Sequence, residues 1–226
     1  MAHLRWYGQS AFRLAGSQTV FIDPFGDMSG LASRGIEWRY PAIEGVTADV
    51  VLVTHDHGDH NAVEVIGGDP AVFRPTAGTL ESPLGRLVAV ASEHDEAAGT
   101  QRGPNTLYRF ELDGLAYAHF GDFGQTGLRP EQKEALGEVD VLLLPVGGGP
   151  TVGGERAAAV VRELGPRLVV PHHYRTEAIS FLDPPDAFLD ALGARVERLG
   201  ESETEVEPLL GSREEPVVAL LAPPLP

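Results

Sequence analysis

Three of the eight histidines in this 226-residue chain fall within six residues, His55-Asp56-His57-Gly58-Asp59-His60, directly after the apolar run Asp49–Thr54. Imidazoles two apart on an extended segment project to the same side and can share one cation. Gly58 is expected to let the chain turn, so that Asp59 and His60 face a second position. A pH-sensitive loop, or the polar start of a helix over Asn61–Ile66, is the other use of the same residues. A metal site needs further ligands, and those must arrive from elsewhere in the fold.

Candidates stand in equivalent places, each after an expected strand. His94 follows Leu87–Ala91 across Ser92-Glu93, Asp122 follows Leu115–Phe120 across Gly121, and His172 and His173 follow Leu168–Val170 across Pro171. In open α/β sheets the loops beyond the carboxyl ends of strands form the functional rim. Core packing does not require four strands to deliver His or Asp to one rim. The chain has no cysteine, which excludes a disulfide scaffold, a thiol nucleophile, iron–sulfur clusters and Cys-ligated zinc. Any metal must be held by nitrogen and oxygen. Among such ions Zn²⁺ suits best, with Mn²⁺ or Fe²⁺ as alternatives.

The remaining organisation is that of a mixed α/β chain. Further short strands are expected at Thr19–Ile22, Leu107–Leu112, Val139–Leu144 and Val217–Leu221, the last followed by a loose proline-rich end. Helices are expected at Pro130–Leu136, Gly153–Leu164 and Pro185–Leu192, the first beginning on proline and the other two stopping before glycine. No repeat or linker divides residues 1–226, so one domain is expected. Glutamate at every second position of Glu201–Glu207 reads as an acidic edge strand or a mobile loop. With 17 Lys+Arg against 33 Asp+Glu, the formal charge of −16 leaves no field for a nucleic-acid backbone. No basic, apolar leader opens the chain and no apolar run approaches membrane-spanning length. A cytoplasmic protein with no nucleic-acid or membrane partner is expected, although the lack of cysteine would also suit an exported one.

The histidine loop, with Trp6-Tyr7-Gly8-Gln9-Ser10, Ile22-Asp23-Pro24-Phe25, Ser92-Glu93-His94-Asp95, Gly121-Asp122-Phe123-Gly124, Pro145-Val146-Gly147-Gly148 and Pro171-His172-His173-Tyr174, resembles the metallo-β-lactamase fold superfamily. Within it, the chain is similar to the branch of ascorbate-6-phosphate lactonase-like and N-acyl phosphatidylethanolamine phospholipase D-like hydrolases. The resemblance implies a four-layer αβ/βα sandwich with a two-metal centre at one edge of two mixed sheets. It implies that His55, His57 and His94 hold one divalent cation, that Asp59, His60 and His173 hold the other, and that Asp122 bridges them. Asp23 would orient the histidine loop. Two positions depart from the pattern: the family commonly has histidine where Gln9 stands, and an apolar residue where His172 precedes the last ligand. His173 fits the Pro-x-His-Tyr spacing better than His172.

The activity implied is hydrolysis of an ester, lactone or phosphoester bond of a small molecule by a metal-bridging hydroxide, with Asp59 as proton-handling group. No Gly-x-Ser-x-Gly elbow offers a serine route. The alternatives are a one-iron oxidoreductase resembling persulfide dioxygenases, and a non-catalytic module stabilised by metal. Arg102 is a candidate clamp for a substrate anion or an ordinary loop arginine. Gly148, within Gly147-Gly148-Gly149, would present backbone N–H groups to an anion or form a tight turn. Tyr174 is a further candidate substrate contact. His119 is read as a satisfied buried histidine or a substrate contact, and His3 as a surface residue.

Overall fold

The computed structural model describes residues 1–225. In chain order its strands are β1 (His3–Gly8), β2 (Ala11–Ala15), β3 (Thr19–Ile22), β4 (Val50–Leu52), β5 (Ala71–Phe73), β6 (Gly78–Ser82), β7 (Gly85–Glu93), β8 (Pro104–Leu112), β9 (Leu115–His119), β10 (Val141–Pro145), β11 (Leu168–His172), β12 (Arg195–Arg198), β13 (Glu203–Glu205) and β14 (Val217–Leu220). Six of them form one sheet in the order β13-β1-β2-β3-β4-β5, and eight form the other in the order β12-β14-β11-β10-β9-β8-β7-β6. Both sheets are mixed: β3, β4 and β5 run parallel, as do β9, β10, β11, β14 and β12, while the other pairings are antiparallel.

The period of two along each strand divides the core. In the smaller sheet Val20, Ile22, Val50 and Leu52 turn inward and join Tyr117, Leu142 and Val169 of the larger sheet in one buried cluster. Phe21, Val51 and Val53 turn the other way and pack under Phe25, Tyr40, Ile43 and Ile66. The larger sheet carries the helices. They are α1 (Pro130–Leu136), with proline in its first turn, α2 (Gly154–Leu164) and α3 (Asp186–Leu192). Both α2 and α3 stop at a left-handed glycine, Gly165 (φ 58°) and Gly193 (φ 65°). Ala157, Ala158, Val160 and Val161 give α2 its buried stripe.

The architecture is that of the expected two-sheet sandwich, with two local departures. The outer face of the smaller sheet is covered by irregular chain and short 3₁₀ turns rather than by α-helix. Asn61–Ile66 is not an α-helix: only Val63–Val65 forms a 3₁₀ turn. The Ala62 N–H donates to Pro24 O (2.9 Å) and Gly67 N–H to Val46 O (2.8 Å), so both ends are tied to neighbouring segments before a second helical turn can form. The last strand, β14, inserts between β11 and β12. By contrast, the acidic Glu203–Glu205 segment is an edge strand, paired with β1.

The pairing directions set the functional edge. Strands β1, β3 and β4 of the smaller sheet point the same way, as do β7, β9 and β11 of the larger. Their carboxyl ends release Gln9-Ser10, Asp23, the His55–His60 loop, His94, Asp122 and His173 toward one rim.

Candidate metal centre

Four imidazoles converge on one carboxylate oxygen. Asp122 Oδ2 lies 3.2 Å from His94 Nε2, 3.2 Å from His173 Nε2, 3.4 Å from His60 Nε2 and 4.0 Å from His55 Nε2. His55, His57 and His94 place one donor atom each within 4.8 Å of one another, and so do His55, His60 and Asp122. Asp59 Oδ2 stands 3.5 Å from His60 Nε2. The seven side chains expected at the centre are therefore brought together, from loops 118 residues apart at the extremes of His55 and His173.

Outer hydrogen bonds decide which nitrogen is free in three of the rings, those of His94, His55 and His60. Pro150 O can only accept, so His94 donates from Nδ1 (2.9 Å) and keeps the Nε2 lone pair for the centre. Thr54 Oγ1 donates to Asp23 Oδ2 (2.7 Å) and accepts from His55 Nδ1 (3.0 Å), which leaves His55 Nε2 free. His60 Nδ1 donates to Asp23 Oδ2 (2.9 Å). The inner Nε2 atoms of His55 and His60 are buried without a hydrogen-bond partner. Such orphaned inner nitrogens, on rings whose other nitrogen donates to carboxylate, hydroxyl or carbonyl, are the arrangement a metal-binding histidine requires. The residues fit a cation.

Asp23 holds this loop from below. Fully buried and at φ 50°, it also accepts from the Thr54 N–H (2.8 Å). Gly121 has a structural reason to be glycine: at φ 53°, a Cβ there would meet Thr54 Oγ1 and Asn105 Oδ1 at 2.5 Å. Gly58 does not act as the sequence suggested. Its backbone is not left-handed and open space surrounds it; the turn is closed by the His60 N–H donating to His57 O (2.9 Å).

When no metal is bound, the carboxylates of the centre hold a proton on His60. Burial disfavours a charged His60, but Asp122, Asp59 and Asp23 around it hold its pKa well above the ordinary histidine value. Burial would raise Asp122, yet His173 and His60 hold its carboxyl well below the usual range, and His60 does the same for Asp59. His55 is pushed down to about 2, first by burial and then by His60, so it is already neutral.

The centre floors an open cavity of about 980 Å³. Met28, Leu31, Trp38 and Phe181 supply apolar walls, Arg34 and Arg102 line the same space, and the buried Gln9 carboxamide faces it with Oε1 unpartnered. Gly149 and Pro150 line it as well, but the Gly147 and Gly148 N–H groups are spent on His173 O (3.0 Å) and Val152 O (3.2 Å), which makes that segment a turn. Tyr174 is buried with its ring 5.6 Å from Trp6 and does not line the cavity. His119 is buried and bonded at both nitrogens, to Ser10 O and the Gly121 N–H (3.0 Å each). His3 is half-buried at the start of β1. A second cleft, of about 660 Å³ near Arg195 and Arg213, contains no histidine.

Sequence reasoning missed Ser10. It carries no chemistry by type and was visible only as part of the Trp6–Ser10 stretch, yet its Oγ donates to Asp122 Oδ1 (3.0 Å).

The model of the β-lactamase superfamily domain matches residues 3–173. The chain belongs to the metallo-β-lactamase superfamily. A relative from Thermococcus kodakarensis, named a UPF0173 metal-dependent hydrolase, is 30% identical over 214 residues, covering 82% of this chain and 90% of its own. A proposed Zn-dependent hydrolase of the same superfamily from Thermotoga maritima has a crystal structure that superposes with a TM-score of 0.76 at 28% identity, covering 98% of this chain and all of its own. The superfamily member is thus an enzyme of the metal-dependent hydrolase class. At 16% identity, CmlA from Streptomyces venezuelae, a diiron β-hydroxylase, shares the fold alone (TM-score 0.52, 76% of this chain and 44% of its own). Among the described residues no helix is long and apolar enough to cross a membrane.

Proposed function

We propose that this enzyme hydrolyses an ester, lactone or phosphoester bond of a small molecule at a dinuclear centre. The observation that carries the reading is the single oxygen of Asp122 set among four imidazoles, beside the overlapping donor groups His55–His57–His94 and His55–His60–Asp122; the two sets read from it are His55, His57 and His94, and Asp59, His60 and His173. One cation would be held by the first set and one by the second, with Asp122 between. Nitrogen and oxygen donors without sulfur suit Zn²⁺, and also Mn²⁺ or Fe²⁺. When bound, such ions would lower the pKa of a coordinated water and polarise the oxygen of the electrophile.

The chain's own groups do the rest. Asp59, half-buried at the cavity floor, takes the proton released from the attacking water and can return it to the leaving group. Arg34 and Arg102 supply positive charge to a cavity in an otherwise acidic molecule, which favours substrates with a carboxylate or phosphate. The apolar walls would pack against the apolar part of the substrate.

The test is a panel of lactones, thioesters, phosphodiesters and β-lactams offered to metal-loaded protein. Turnover of lactone or phosphodiester, abolished by chelation and restored by Zn²⁺ or Mn²⁺, is the expected outcome. Full metal occupancy with no turnover on any class would sink the reading, and one iron with oxygen consumption would replace it with the oxidoreductase.

Metal also changes stability in a pH-dependent way. An ion bound only by the folded form at about a thousand times its Kd contributes roughly 4 kcal/mol, or on the order of 10 °C in melting temperature for a chain of this size. At neutral pH the ion must displace the proton on His60, so affinity rises with pH through the raised pKa of that group. In metal-free protein the same proton works the other way. Its stabilisation is fully present below the ordinary histidine value of 6.5 and is lost as pH rises through the raised one. Melting curves with and without Zn²⁺ should therefore diverge as pH increases above 6.5. Parallel curves would contradict this.

A further inference from the structure

β11 ends on His172, and the histidine that follows it is the one that reaches the centre. His173, at φ 49°, leaves the strand direction and presents Nε2 to Asp122. His172 stays within the sheet, fully buried, its ring stacked on His119 (4.9 Å, 16°) and set edge-on to Phe12 (5.5 Å, 67°). Its Nδ1 lies 3.3 Å from Ser10 Oγ, and that oxygen lies 3.0 Å from Asp122 Oδ1.

We infer that His172 is a positioning residue for the metal centre, acting through Ser10 on the outer oxygen of Asp122. The inference rests on the metal reading given above. The hydrogen-bond inventory allows one assignment. The ionised carboxylate can only accept, so the Ser10 hydroxyl donates to Asp122 Oδ1. Its proton being spent, the hydroxyl oxygen accepts from His172 Nδ1–H. The ring then carries its lone pair on Nε2, which is the atom found buried without a partner. The order is His172 Nδ1–H to Ser10 Oγ–H to Asp122 Oδ1, with every proton accounted for.

The Ser10 backbone is held by the same layer of rings. Its carbonyl accepts from His119 Nε2 (3.0 Å), and His119 Nδ1 accepts from the Gly121 N–H (3.0 Å), one residue before Asp122. Ser10 and Asp122 are thus tied together twice, once through the hydroxyl and once through His119. The consequence is a division between the two carboxylate oxygens. Oδ1 is fixed on Ser10, and Oδ2 alone faces the four imidazoles. A carboxylate free to rotate would exchange its oxygens and present a variable distance to the two cations. An apolar residue at 172 would leave the Ser10 hydroxyl free to turn away from Asp122. Here the histidine holds it.

The decisive comparison uses side chains that place an N–H at different points. Asn puts its amide nitrogen near the position of Nδ1, Gln near that of Nε2, and Leu has none. Full-length protein stripped of metal is titrated with Co²⁺ by calorimetry. The optical and EPR spectra of the loaded forms are recorded, with circular dichroism as the check on folding. His172→Leu, His172→Gln and Ser10→Ala should each weaken Co²⁺ binding by about tenfold or more and alter the spectrum of the coupled pair. His172→Asn should keep both near the parent values. In the double variant Ser10→Ala/His172→Leu, the loss should equal that of Ser10→Ala alone, since the histidine acts only through the hydroxyl.

Equal behaviour of the Asn, Gln and Leu variants, with parental affinity and spectrum, would overturn the relay and leave the metal centre standing. Additive losses in the double variant would also overturn it. A parent protein that binds no Co²⁺ at all would overturn the metal reading itself. If His172→Leu fails to fold, Asn against Gln alone decides, because the two differ in where the N–H is placed.

Discussion

Asp122→Ala should lose the second cation altogether, with turnover falling by about a thousandfold or more even at saturating metal. Support outside the ligand sphere is typically worth 10–100-fold in metal affinity or activity, and a carboxylate placed among four imidazoles should exceed that. Its loss removes the negative charge that offsets repulsion between two dications. It also removes the acceptor of the Ser10 hydroxyl and leaves His60 with one fewer counter-charge. Metal content and turnover measured on the same preparations check the result. Two ions per chain and near-parental turnover in Asp122→Ala would show that the centre does not depend on a bridge.

Asp59→Asn should separate binding from chemistry. Asn keeps the size and one oxygen but not the charge, so the cation on the His60 side should bind more weakly without being abolished. Turnover should fall further than occupancy explains, because a positioned proton-transfer group contributes typically 10²–10⁴-fold. The deficit should persist when metal is raised until occupancy is restored. A variant with two ions and unchanged turnover would remove Asp59 from the proton-handling role and leave it as a ligand only.

Much of this site is legible in the sequence because metal chemistry demands rare residue types at strand ends. His55–His60, His94, Asp122 and His173 are each recognisable from a polar donor after a short apolar run, and those runs correspond to β4, β7, β9 and β11. What is not legible depends on hydrogen-bond partners rather than residue type. Ser10 is one small hydroxyl in a two-residue turn, and its role appears only when β1 is placed beside β11 and the Asp122 loop. The doubled histidine is ambiguous in sequence and resolves only through the backbone of His173 at φ 49°, which turns one ring into the centre and leaves the other in the sheet. Tyr174, singled out by its place beside the last ligand, is buried against Trp6 because the reversal at His173 directs the following residue into the core. The segment Asn61–Ile66 has a helical pattern, but its ends are claimed by Pro24 and Val46, and no local propensity foretells such long-range ties.

The donors of the centre come from loops of both sheets, and His55 and His173 are brought together across more than half the chain. No early hairpin or isolated sheet offers a cation its full set of ligands, unlike a small zinc module. Full coordination is expected only after the sheets have docked, beyond the barrier that long-range closure sets. Interactions absent from the transition state slow unfolding and leave the folding rate nearly unchanged. The cation is therefore a latch on the finished molecule. Its removal shortens the lifetime of the native state, while the path by which the chain first reaches that state stays the same.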